Sequence, residues 1–259
     1  MKLFGDFHTH TIYSCGKHNV KHATGTILQN AKQAKAKGLN AIGITEHGFG
    51  HLLYGLQRDA ILKMKEEIAE AEKETGIKIY FGIEANIISR QGDIDLTQEE
   101  TKLFDFIIVG YHKFAKSKNL KEFFLFKLPN LLKFKCKKIK KQNTEALSLA
   151  MQKYPIDIIS HPGAGFALNF EEIGKIAKET NTLLELNGKR IAYQNINLLI
   201  KNENKFIINS DAHSPSRVGE IKKPINFLIK NSIPTNLVVN LNKNFDEWKK
   251  KWAFHKILN

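Results

Sequence analysis

A chain of 259 residues, 42% hydrophobic and 25% charged, carries enough apolar material for one large packed domain, and α/β barrels of this size stay single. Forty Lys plus Arg against 26 Asp plus Glu leave a formal charge of +14, which favours anionic partners: phosphorylated metabolites, nucleic acid or an acidic membrane surface. Cys15 and Cys136, the only cysteines, argue against a disulfide framework and a thiolate zinc site; no transmembrane segment or signal peptide is expected, and the cytoplasm is the expected compartment.

Lys2 to Phe7 reads as a short strand, and Asp6-Phe7-His8-Thr9-His10 closes it with two histidines two residues apart. Side chains at i and i+2 of an extended segment point the same way, so both imidazoles can reach one ion. A loop from His10 to Gly25 holds His18 and His22. Thr26 then caps a helix with Ile27, Leu28, Ala31, Ala34 and Ala36 as apolar positions, and Gly38 ends it. Leu39 to Thr45 is a second strand ending at Glu46-His47, followed by a loop with His51 and Tyr54 and a helix from Gln57 to Thr75 stopped by Gly76.

Ile77 to Ile83 is a third strand ending at Glu84, and Phe104 to Val109 a fourth ending at Gly110-Tyr111-His112. Next comes a basic stretch from Lys113 to Lys141, with eleven lysines against one acid, Glu122, and a break expected at Pro129. It accounts for +10 of the +14 and interleaves Phe114, Phe123, Phe124, Phe126 and Phe134 with lysines. A solvated face over packed apolar residues is its ordinary reading. A lid over a pocket, a nucleic-acid groove and an interfacial helix are the functional readings.

A helix follows to about Lys153. Pro155 to Ser160 is a fifth strand terminating at His161-Pro162-Gly163, and a helix spans Phe170 to Glu179. Thr182 to Leu186 is a sixth strand ending at Asn187-Gly188-Lys189-Arg190, then a short helix near Ile191 to Lys201. Lys205 to Asn209 is the seventh strand and delivers Ser210-Asp211-Ala212-His213. The remainder reads as closing helices and a basic tail from about residue 240, with Trp248, Trp252 and the tail residue His255.

Continuous apolar runs alternating with helices argue for buried parallel strands in a closed or nearly closed barrel. In such barrels the site lies at the carboxyl ends of the strands. Here every run ends in or just before a histidine, carboxylate or polar cluster, so these residues converge on one face.

Five motifs carry a family resemblance: His8-Thr9-His10, Thr45-Glu46-His47-Gly48, Gly82-Ile83-Glu84-Ala85-Asn86, Ser160-His161-Pro162-Gly163 and Ser210-Asp211-Ala212-His213. In this order they resemble the PHP (polymerase and histidinol phosphatase) superfamily of metal-dependent phosphoesterases, in its branch of small stand-alone phosphatases. The resemblance implies a distorted seven-stranded TIM-like (β/α)7 barrel in a single domain. It also implies two or three divalent ions (zinc, manganese or iron) held by His8, His10, His22, His47, Glu84, His112, His161, Asp211 and His213, with Glu84 as bridging carboxylate. His22 sits in a longer loop than is usual in the family and His18 competes with it; Glu46 stands where an Asp is usual.

The implied reaction is hydrolysis of a phosphate monoester of a small metabolite by a metal-bound hydroxide at a trinuclear site, with histidinol phosphate as the named candidate. Glu84, Asp211 and His213 would be the catalytic residues, and Asp211 or His213 would supply the leaving-group proton unless both are ligands. The alternatives are a nuclease or nucleotide phosphodiesterase, and a non-catalytic metal-binding regulatory domain. Arginine binds phosphate bidentately, and of Arg58, Arg90, Arg190 and Arg217 the last two follow the sixth and seventh strands. Arg190 and Arg217 are therefore the expected phosphate contacts, with Lys189 and Lys113 as weaker ones; ordinary salt bridges are the equal alternative. Asp6 is expected to anchor a ligating imidazole, His51 to be a surface residue with a substrate contact as the alternative, and Tyr54 and Tyr111 to be packing residues with pocket wall as the alternative.

Overall fold

The computed structural model describes residues 1–134 and 136–242; the calls on the basic tail, Trp248, Trp252 and His255 lie outside the described residues. The apolar runs form seven strands: β1 (Gly5–Thr9), β2 (Ala41–His47), β3 (Lys78–Asn86), β4 (Phe106–Gly110), β5 (Ile158–Ile159), β6 (Leu183–Asn187) and β7 (Phe206–Asn209). They pair in chain order and every pair is parallel. The sheet nearly closes on itself where the His10 N–H donates to the Ala212 carbonyl at 2.8 Å and the Phe7 N–H to Asn209 Oδ1 at 2.9 Å. This is the expected seven-stranded TIM-like barrel.

Helices α1 (Ile27–Ala36), α2 (Ala60–Thr75), α3 (Gln98–Thr101), α4 (Leu120–Glu122), α5 (Leu128–Leu131), α6 (Lys137–Lys153), α7 (Phe170–Glu179), α8 (Ile196–Lys201) and α9 (Lys222–Lys230) occupy the connections. Thr26 caps α1 in a reciprocal box with Gln29, and Gly76 ends α2 at φ 69°, a left-handed position that suits glycine. None of these helices is long and apolar enough to cross a membrane.

Strand alternation divides the core in two. Ile42, Ile44, Ile83, Ile107, Val109, Ile159, Leu184, Leu186 and Ile208 belong to the larger apolar cluster shared with the helices. A smaller cluster, including Phe7, Phe106, Ile108, Ile158, Leu183 and Ile207, plugs the barrel interior below the site. The Phe106 ring fills the space a side chain at Gly82 would need, since a Cβ there would lie 2.5 Å from it. The interior is therefore packed up to the level of Glu84, and polar side chains begin where the plug ends.

Pro129 does not break the basic stretch. A single π-turn, Phe123–Lys127, joins α4 to α5. Proline has no N–H to offer the Leu125 carbonyl, and that carbonyl instead accepts from Gln142 Nε2 of α6 at 2.9 Å. Asn130 and Asn143 exchange side-chain hydrogen bonds at 2.9 and 2.8 Å, so the stretch is fastened to α6 along its length.

Candidate metal centre

The pairing of β1 with β2 skips one residue between Asp6 and Thr9, a β-bulge that sets two residues of β1 against one of β2. Its effect is that both Phe7 and His8 reach the interior, Phe7 into the plug and His8 into the layer above it. His10 follows on the same side. The remaining strands deliver inward-facing residues by simple alternation: His47 from β2, Glu84 and Asn86 from β3, Glu185 and Asn187 from β6.

Glu84, 1% exposed, stands at the centre of five imidazoles. Its Oε1 lies 3.3 Å from His8 Nε2, 3.3 Å from His112 Nε2 and 3.2 Å from His161 Nε2. Its Oε2 lies 3.1 Å from His47 Nδ1 and 3.6 Å from His10 Nε2. Asp211 Oδ1 makes a second focus, 3.6 Å from His10 Nε2, 3.8 Å from His8 Nε2 and 3.4 Å from His213 Nδ1. His22 joins through its Nε2, 2.8 Å from His213 Nε2, and stacks on Tyr54 with ring centroids 3.7 Å apart. All nine residues expected on the sequence are thus in one cluster, with His22 in the place for which His18 competed.

Around them lies a layer of anchors. The His8 Nδ1–H donates to Glu185 Oε1 at 2.8 Å, which turns Nε2 toward Glu84 and Asp211. Glu185 is fully buried and also accepts from the His161 backbone N–H and from the Asn187 and Asn209 amides. His112 Nδ1 lies 2.7 Å from Asn86 Oδ1, and Asp95 in turn accepts from the Asn86 amide. Glu46 accepts from Thr11 and Ser14, and Ser14 Oγ lies 3.3 Å from His10 Nδ1. Asp6 holds no imidazole, contrary to expectation. It accepts from the backbone N–H groups of Ser210 and Gly219, tying the start of the barrel to the segment after β7.

Electrostatics follow from this crowding. Burial opposes charge on Glu84 and Asp211, yet the imidazoles around them hold both carboxyls well below their usual range. Burial and neighbouring imidazoles push His10 far below its ordinary value, His22 to about 3 and His213 to about 4; His112 also falls to about 4. Burial likewise works against a charged His8, but Glu84, Glu185 and Asp211 outweigh it and raise that imidazole well above its ordinary value. Ionised carboxylates and mostly neutral imidazoles are the form in which these side chains bind metal.

The donor set fits divalent ions. Both ring nitrogens of His47 are buried without a hydrogen-bond partner, and imidazole nitrogens face each other at 3.1 Å (His8–His10) and 2.8 Å (His22–His213). Three overlapping groups have ligand atoms mutually within 4.8 Å among the described residues: His8, His10, Asp211; His10, His47, His213; and His47, Glu84, His112. All are N and O donors, which suit zinc, manganese or iron.

Of the four expected phosphate contacts, Lys189 is the one hydrogen-bonded to this cluster. Its Nζ lies 3.2 Å from Asp211 Oδ1 and within hydrogen-bond distance of His213 Nδ1. Arg217 pairs with Glu220 at 3.4 Å on the surface, and the side chains of Arg190 and Lys113 are exposed. His51 is not a surface residue: it is 6% exposed, stacked between His47 at 4.9 Å and Tyr54 at 4.8 Å. Tyr54 therefore walls the cluster, whereas Tyr111 packs on Phe166 at 4.7 Å as a core residue should.

Comparison with known proteins agrees with this architecture. A probable phosphatase of Caldanaerobacter subterraneus subsp. tengcongensis is 30% identical, with 93% of this chain and 88% of the relative aligned. One from Clostridium novyi is 28% identical over 93% of this chain and 91% of the relative. The histidinol phosphate phosphatase of Lactococcus lactis, solved with zinc, L-histidinol and phosphate, superposes with a TM-score of 0.58 at 18% identity, covering 90% of this chain and 94% of that one. A chain of an archaeal ribonuclease P structure gives 0.56 at 15% identity over 97% and 92%. At those identities the likeness is one of fold. Residues 6–206 match the PHP domain family, and the chain belongs to it.

Proposed function

We propose that this chain hydrolyses phosphate monoesters of small metabolites at a cluster of two or three divalent ions held by His8, His10, His22, His47, Glu84, His112, His161, Asp211 and His213. The observation that carries the proposal is the gathering of five imidazoles on Glu84, beside a second focus at Asp211. Such ions, when bound, acidify a coordinated water toward about pKa 7 and neutralise phosphoryl charge.

The chain's own residues do the rest. Glu84, with both oxygens facing imidazoles, would hold such ions as a carboxylate shared within the cluster. Asp211 and His213 sit beside Lys189, whose partly exposed ammonium orients a phosphoryl oxygen and stabilises the charge that grows as the ester bond breaks. His51 and Tyr54 wall the cluster beside His22 and His47, on the side a substrate would meet at these two imidazoles. Histidinol phosphate is the first substrate to try, in keeping with the named activity of the L. lactis protein of the same fold.

The test is elemental analysis of protein purified without added metal, paired with phosphate release from p-nitrophenyl phosphate, histidinol phosphate and a panel of phosphometabolites. Two or three equivalents of metal, with turnover lost on chelation and in His47→Ala and Asp211→Ala, is the expected result. A full metal complement with hydrolysis of oligonucleotides or cyclic phosphodiesters only would replace this reading by the nuclease one. Protein that takes up no metal would end it.

A further inference from the structure

Outside the metal centre, the most unusual surface is the stretch after His112. Six large apolar side chains within fifteen residues stand in solvent: Leu120 (72% exposed), Phe123, Phe124 (54%), Leu125, Leu132 and Phe134. Exposed apolar groups at this density mark an interaction site. In the same stretch Lys113, Lys116, Lys121, Lys133, Lys137 and Lys138 are also exposed and make no ion pair among the described residues. The stretch's one acid, Glu122, is buried and spent on Arg90, whose guanidinium donates to both of its oxygens at 3.2 and 2.9 Å. The patch is therefore apolar and cationic with no free carboxylate of its own.

From this we infer that the face built by α4, the π-turn, α5 and the first turn of α6 docks on an anionic lipid bilayer. Charge selects the class of partner: a second copy would set one lysine-rich face against another, whereas an acidic headgroup layer complements it. Shape of the apolar groups selects among anionic partners. Half are leucines, which offer bases nothing to stack on, and Phe123 and Phe124 meet edge to face at 5.3 Å, so their ring faces do not form a base-stacking platform. Leu and Phe flanked by lysines are what an interfacial segment uses, with apolar groups entering the headgroup boundary and ammonium groups remaining at the phosphates.

The fold makes the face rigid enough to serve. Buried Lys127 donates to the His112 carbonyl and lies over the Tyr111 ring at 4.7 Å, and the Leu52 N–H donates to the Phe114 carbonyl at 2.9 Å. Docking would thus act on a segment fastened directly to His112 of the cluster.

The experiment is co-sedimentation of the full chain with vesicles of phosphatidylcholine alone and of phosphatidylcholine with 30 mol% phosphatidylglycerol, the composition being a design choice on the order of a cell's anionic lipid content. Binding to the anionic vesicles only, weakened by salt, is expected. Lys121→Glu with Lys138→Glu should cut partitioning by about 25-fold or more, since each lysine near such a surface is worth roughly fivefold. Leu120→Ser with Phe124→Ser should cut it about tenfold or more while metal content and turnover on soluble substrate stay unchanged. The inference is overturned by absent vesicle binding at low salt, by equal binding to neutral vesicles, or by variants that bind as the parent does. Capture of a single-stranded oligonucleotide without vesicle binding, or self-association abolished by Leu120→Ser with Phe124→Ser, would also overturn it, reassigning the face to nucleic acid or to a second copy.

Discussion

Glu185→Gln separates a carboxylate that positions the cluster from one that merely fills the barrel. Glu185 Oε1 takes His8 Nδ1 at 2.8 Å and Asn209 Nδ2 at 3.0 Å, and Oε2 takes the His161 N–H and Asn187 Nδ2, both at 2.8 Å. Glutamine has the same shape but one acceptor oxygen, so two of four buried donors must face an NH2 group. At about 1–3 kcal/mol for each buried donor left unsatisfied, the variant loses roughly 2–6 kcal/mol. If the NH2 faces His8, that ring must keep its proton on Nε2, the nitrogen turned toward Glu84 and Asp211 and the one a metal would need. Metal affinity should then fall about 10- to 100-fold, the usual cost of removing such an anchor. Competition with a chromogenic chelator reads the affinity, and calorimetry reads the stability. A variant with parental metal affinity and an unchanged melting temperature would refute the anchoring role.

Other expectations follow from the same geometry. Lys189→Met should lower kcat/KM by about 10- to 100-fold with metal content intact, read by initial rates and elemental analysis; unchanged kinetics would remove Lys189 from the phosphate site. Stripping the metals should lower the melting temperature by on the order of 10 °C, because occupancy at a thousand times Kd contributes about 4 kcal/mol and each kcal/mol moves a chain of this size about 2–4 °C. Hydrogen bonding to Arg90 is the main reason the Glu122 carboxyl lies below its ordinary value of 4.5. The stability from that pair is present above about pH 4.5 and is lost as pH falls through the lower folded value. Glu122→Gln should therefore be less stable than the parent at pH 7, by about 1–3 kcal/mol, with the gap closing in acid; a gap constant with pH would contradict the assignment.

How much of this could be read from residues alone differs from element to element. His8-Thr9-His10 and the strand-end histidines were legible because parallel strands end together on one face, so position in sequence already implied proximity. The bulge in β1 was not legible, and without it strict alternation would put Phe7 and His8 on opposite faces. Glu185 was passed over as part of an apolar run, although its signal was present: Leu183, Glu185 and Asn187 share the face opposite Leu184 and Leu186, so polarity at alternate positions marked where the interior turns from plug to site. His51 and the phosphate contacts depended on the direction of side chains on loops, which strand order does not determine. Pro129 misled because a π-turn and a side-chain amide from α6 supplied what proline withholds.

The placement of charge makes metal part of the fold as well as of the chemistry. Asp6, Glu46, Glu84, Glu185 and Asp211 are each at most 7% exposed, and Lys189 is the ammonium paired with any of them among the described residues. Burial raises Asp6 and Asp95, and lifts Glu46 to about 7, where hydrogen-bond donors alone offset desolvation. Glu84 and Asp211 differ: they stay ionised by drawing on imidazoles, and of those the strongest base, His8, is held upright by a third carboxylate. The backbone adds cost, since His161 and Asp211 sit at φ 32° and 55°, left-handed positions worth about 1–3 kcal/mol each in a non-glycine residue. Three carboxylates converging on one imidazole, with two ligand positions strained, form an arrangement that protons satisfy one group at a time. Divalent ions satisfy it at every donor together, which is the physical reason to expect the cluster, the closure of β1 on the segment after β7 and the barrel to be weakened together when the metals are removed.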